Sequence, residues 1–195
     1  MELTRALDEI RAIHEHLART EVYRGYRPFP VAFSGLCALA AAAAQPAVVG
    51  RQSPRAYVFF WVAVAAVSLA AVAGEIAWRY FVREDEAARR RTRLVLAQFA
   101  PCLIAGACAT AGFLAAGPGG VALLPGAWAL LFGLGVAASR PYLPRAASAV
   151  TLFYLAAGAL LLATAAPGTV PSGWGMGLTF GLGQLHAAWV VHRNG

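Results

Sequence analysis

Six apolar runs, at roughly 29–49, 56–78, 94–116, 121–139, 146–166 and 172–191, leave this chain of 195 residues little choice of environment. About 20 residues rise about 30 Å as a helix, which matches the hydrocarbon core of a bilayer. In lipid, a segment can satisfy its own backbone N–H and C=O groups by forming a helix. The runs are continuous and long, which favours helix over strand. Charged residues make up 13% and apolar residues 59% of the chain. A soluble domain carries about 25% charge, so an ordinary soluble enzyme is excluded, as are disordered and collagen-like chains. The expected fold is an all-α integral membrane protein. Six transmembrane helices form three consecutive hairpins, preceded by a cytoplasmic amphipathic helix.

The 16 basic residues are all arginine, against 9 acids, and their positions predict the threading. With the N-terminus inside, 14 arginines fall on the cytoplasmic side and only Arg51 and Arg55 fall outside. The turns around Pro118–Gly120 and Pro167–Thr169 carry no charge. Such asymmetry places both termini in the cytoplasm and the protein in the plasma (inner) membrane. The net charge of +7 is then a threading signal. Nucleic-acid binding is not expected, because the arginines border apolar runs and no zinc-finger spacing is present.

Two regions follow: a cytoplasmic or interfacial segment over 1–27 and a six-helix membrane domain over 28–193. In the first, Leu3, Leu7, Ile10 and Leu17 recur at helical spacing, with charged residues on the other face. Five acids balance five arginines over residues 1–27, and no apolar leader region precedes the first run. The segment predicts a helix that lies on the membrane, caps the bundle or meets a partner. Tyr23, Arg24, Tyr26 and Arg27 lead into the first run and suit an interfacial belt. The charged stretch 83–93 reads as a short helical link able to touch anionic lipid.

Helix-packing signals concentrate in the sixth run, where Gly173, Gly177 and Gly181 are spaced four apart. Such a face lets another helix approach closely, either in the same chain or in a second subunit. A faint repeat joins Phe132-Gly133-Leu134-Gly135 to Phe180-Gly181-Leu182-Gly183, and Pro118-Gly119-Gly120-Val121 to Pro167-Gly168-Thr169-Val170. It suggests that the last two hairpins are related. Pro101, well inside the third run, predicts a kink or a freed carbonyl.

Glu75 is the acid that falls inside a run. An ionisable group there normally faces the bundle or finds a partner. Arg79 lies one turn on, and Gln98 and His186 fall at similar depth. These four residues define a candidate polar cluster open to the cytoplasm. Its two readings are interhelical glue and a ligand or proton site.

No catalytic set is evident. The His residues lack a His-Glu-x-x-His pattern, so no metal and no cofactor are expected. Cys37, Cys102 and Cys108 do not form a disulfide framework. An intramembrane serine protease needs a serine in a Gly-x-Ser-Gly turn, and the matching stretch reads Gly133-Leu134-Gly135. The sequence therefore reads as a non-enzymatic multi-pass inner-membrane protein with a structural, accessory or sensory role. The alternative is a small transporter or permease using the cluster around Glu75 and His186. The expected partners are the lipid bilayer and either a second copy or another membrane subunit through the sixth helix.

Overall fold

A computed structural model describes residues 27–49 and 53–194. The regular elements among them are α1 (Pro28–Val48), α2 (Pro54–Val82), α3 (Glu86–Ala115), α4 (Pro118–Ala138), a 3-10 turn at Arg140–Tyr142, α5 (Ala147–Ala163) and α6 (Gly173–Asn194). The amphipathic helix expected at the N-terminus lies outside the described residues, as do Tyr23, Arg24 and Tyr26. The helices α1 to α4 are long and apolar enough to cross a membrane, and α5 is a shorter apolar helix. The protein is an all-α bundle whose long apolar helices are consistent with a multi-pass membrane protein.

Local chemistry sets the helix starts. Proline stands in the first turn of α1, α2 and α4. There its missing N–H costs no intrahelical bond and its fixed φ suits the helix. Ser53 caps α2 by accepting the Ala56 N–H at 3.2 Å, and Asp85 caps α3 by accepting the Ala88 N–H at 2.8 Å. Gly117, at φ 82°, makes the turn between α3 and α4 in a region where a side chain is strained.

The helix α3 begins at Glu86, well before the apolar run that starts near 94. Asp85 supplies a cap, and Ala87, Ala88 and the arginines that follow are good helix formers, so the charged stretch joins the helix. With 29 and 30 residues, α2 and α3 are each about 45 Å long and overrun a core of about 30 Å. Their shared turn, Arg83–Asp85, lies at the charged end of both helices.

Consecutive hairpins do not describe the closest packing. The most extensive contact joins the first helix to the last, α1 to α6, followed by α4 with α5 and α3 with α4. The α1–α2 and α5–α6 contacts are smaller, and α2 touches α3 only slightly. The result is a closed cycle in which each helix contacts its chain neighbours and α6 returns to α1.

Glycines make the two tightest crossings. A Cβ on Gly177 would strike the Ala42 side chain and lie 3.1 Å from the Ala38 carbonyl oxygen. One on Gly181 would lie 2.6 Å from Leu39 Cγ, and one on Gly173 2.8 Å from Gln45 Oε1. Gly35 on α1 reciprocates, with its Cβ position 2.9 Å from the Gly181 oxygen. The glycine face of α6 is thus covered by α1 of the same chain. The second crossing pairs Gly126 of α4 with Gly158 of α5, each Cβ position within 3.0 Å of the other's carbonyl oxygen.

The exterior is more apolar than a soluble surface tolerates. Phe59, Ile104, Leu152 and Leu160 are 64–67% exposed, while much of the interior is small: Ala38, Ala42, Val121 and Ala129. This arrangement suits lipid outside and close backbone approach inside.

One polar node interrupts the α1–α2–α6 interior. Trp61 Nε1 donates to Gln45 Oε1 at 2.7 Å, and Gln45 Nε2 donates to the Pro171 carbonyl at 3.1 Å. Gln45 thereby ties α1 to α2 and to the segment entering α6. Gln45→Leu is expected to lower stability by about 1–3 kcal/mol, because the buried indole N–H loses its acceptor. Denaturation midpoints in detergent measure this. Adding Trp61→Phe should recover part of the loss by removing the orphaned donor.

Candidate functional site

The Arg-rich ends of the helices position the polar residues singled out by sequence. Arg27 precedes Pro28 as the N-cap residue of α1, with extended φ/ψ of −93° and 143°. Its Nε lies 3.6 Å from Glu75 Oε1 on α2, and the side chains are 55% and 27% exposed, respectively. The acid inside the second run thus meets a cation from the first helix, 48 positions earlier in the chain. Arg79 lies in the last turn of α2, and its carbonyl accepts the Arg83 and Glu84 N–H groups at 2.8 and 2.9 Å.

Gln98 is exposed on α3, the least covered of the four long apolar helices. His186 is half-buried on α6, with its ring 6.1 Å from that of Trp189. The helix α1 packs on both α2 and α6, whereas α2 and α6 have no extensive contact with each other. The candidate residues therefore occupy three separate helices, and the ion pair is formed with Arg27.

The turn between α2 and α3 is held by its own side chains. Thr92 Oγ1 donates to Glu84 Oε2 at 2.8 Å, and Arg89 Nη2 donates to the Phe81 carbonyl at 3.4 Å. The Arg83 guanidinium lies 4.6 Å over the Trp78 ring and that of Arg89 5.5 Å over Tyr80. At the end of α6, Arg193 lies 4.6 Å over Trp189. Arginine–aromatic stacking of this kind keeps the cation hydrated at one edge while its stem and partner ring sit against apolar surface.

Two buried features belong to no motif that the sequence singles out. Gln45 is visible as the amide that ends an alanine run. Tyr154 is less so, being one aromatic among several. In the structure both copies of the Phe-Gly-Leu-Gly repeat converge on it. Its ring lies 4.7 Å from Phe132 and 5.5 Å from Phe180. A Cβ on Gly133 would lie 3.0 Å from its Cβ, and one on Gly183 2.5 Å from its hydroxyl. The hydroxyl is buried with no hydrogen bond of standard geometry, and the Gln184 side chain is the polar group beside it.

The proline parts of the repeat diverge. Pro118 opens a helix, whereas Pro167 and Gly168 (φ 86°) sit in a loop before α6 begins at Gly173. The similarity is thus structural at the tyrosine and absent at the turns.

The three cysteines are free. Among the described residues, no three His, Cys, Asp or Glu side chains gather where a metal could be held. Comparison with protein families, with curated proteins and with solved structures finds no match to this chain.

Proposed function

We propose that this chain is a non-enzymatic multi-pass protein of the inner membrane with a structural, accessory or sensory role. In this reading six helices cross the bilayer, both ends face the cytoplasm, and the segment over 1–27 is the contact for a partner. The distribution of arginines supports the orientation. The overrun of α2 and α3 beyond a bilayer's thickness supports a cytoplasmic working face.

The observation that carries the reading is the Arg27–Glu75 pair. An acid in an apolar run is the strongest candidate for handling protons or ions. Here a cation of the same chain engages it at the end of α1, where it fastens the first helix to the second. A transporter or permease working through Glu75 and His186 is the competing class, and the half-buried state of both residues is its support.

Glu75→Gln is the test. Expression and pH-dependent uptake or membrane potential in cells should be unchanged. Loss of flux with intact expression would establish the transport reading instead. In purified protein, a double-mutant cycle with Arg27→Gln should give a coupling of at most about 1 kcal/mol, as befits a partly exposed pair. Removing residues 1–26 should abolish crosslinking to neighbouring proteins while leaving membrane insertion intact.

A further inference from the structure

The α2–α3 end of the bundle carries a feature that the proposed role does not absorb. Two of its three acids hold the turn: Glu84 accepts from Thr92, and Asp85 caps α3. Glu86 is exposed in the first turn of α3, one turn before Arg90. Arg90 and Arg93 then extend from α3, both exposed. Arg83 and Arg89 flank them, stacked on Trp78 and Tyr80. Arginine therefore prevails over acid at this rim.

Below the cations the same helix face stays open and turns apolar. At 100° per residue, Leu94, Ala97 and Ile104 continue the Arg90 stripe, and all are exposed. Ile104 lies about 21 Å along the helix from Arg90, about the depth of one leaflet with its head-group region. Gln98 is exposed beside the stripe, about 12 Å along the helix from Arg90 and about 80° round from it, on the side away from Arg93. Pro101 has no N–H to give the Ala97 carbonyl, so the helix presents polar groups at that depth too. The order down the helix is cation and then apolar stripe, with the Gln98 amide beside the stripe. An anionic phospholipid carries the complementary order of charged phosphate and then hydrocarbon.

We propose that the exposed face of α3 from Arg90 to Ile104 is a binding site for one anionic phospholipid. Arg90 and Arg93 take the phosphate, and the acyl chain follows the stripe past Gln98. A free phosphate would use only the arginines and leave the rest of the stripe without a role. A second copy of the chain would bring like charges together at Arg90 and Arg93. The site rests on membrane crossing by α3 but not on any particular cellular role.

Full-length protein placed in nanodiscs of phosphatidylcholine, with and without phosphatidylglycerol, tests this, with native mass spectrometry reading the lipid retained. Flotation with vesicles of pure phosphatidylcholine measures membrane insertion separately, so failure of insertion and failure of lipid selectivity are distinct results. Phosphatidylglycerol should be retained in preference to phosphatidylcholine. Arg90→Gln/Arg93→Gln should weaken retention about thirtyfold, from the usual contribution of two arginines near an anionic surface. Arg90→Lys/Arg93→Lys should keep most of it, and inorganic phosphate should not compete. Equal retention of the two lipids overturns the proposal, even if the glutamine variant does not fold. So does an unaffected glutamine variant, full competition by inorganic phosphate, or a dimer mass in place of a lipid adduct.

Discussion

Gly177→Leu is expected to drive α1 away from α6 and to destabilise the protein by about 3 kcal/mol or more, at the upper end of overpacking costs. Even one added carbon at this site would strike Ala42 and press on the Ala38 carbonyl, and a helix backbone cannot yield as a flexible side chain can. The α1–α6 packing that this would disrupt is the most extensive in the bundle, and it closes the cycle of helices. Thermal unfolding in mild detergent, followed by tryptophan fluorescence, measures the effect. Gly74→Leu is the matched control, because a Cβ at Gly74 meets nothing within 4 Å. Were the α6 glycines a contact between subunits instead, Gly177→Leu would give a folded protein of reduced oligomer mass. That outcome would falsify the intramolecular assignment.

Tyr154→Ala should cost about 3–5 kcal/mol, the range for deleting a large buried aromatic side chain. Phe132 of α4 and Phe180 of α6 pack on this ring beside Phe153 of its own helix, so α4 and α6 lose a shared partner at once. Tyr154→Phe should behave very differently. The hydroxyl is fully buried and makes no hydrogen bond, so removing it relieves an unsatisfied polar group. The midpoint of unfolding should stay level or rise. A clear fall in the phenylalanine variant would mean that Gln184 or a water bonds the hydroxyl, and that the site is polar rather than purely a packing hub.

Much of the helix layout is legible one residue at a time. The apolar runs expected to start at 29, 56 and 121 belong to helices that begin one to three residues earlier, at Pro28, Pro54 and Pro118. The charged stretch 83–93 is harder to read, because its helix formers belong to α3 while its polarity suggests a link. Of the candidate cluster, Glu75 is easily noticed as a lone acid. Its contact with Arg27 is not, since the nearer cation in sequence is Arg79. Depth estimates align residues along the membrane normal and carry no information about which helix stands beside which.

The amino-acid sequence alone determines that the long apolar runs are helical and that arginines cluster where several of them end. Run length, cap chemistry and charge position are one-dimensional quantities and need no partner to be read. The tertiary structure alone decides that the α6 glycines face α1, that Gln45 serves Trp61, and that two distant Phe-Gly-Leu-Gly segments enclose Tyr154. The physical reason is the solvent. Against lipid, apolar helices gain little by choosing one apolar neighbour over another, so pairing turns on shape, on where a missing Cβ admits a backbone and where a ring fills the space. Helical periodicity names the residues that share a face, but the helix that covers that face is settled only when the whole bundle packs.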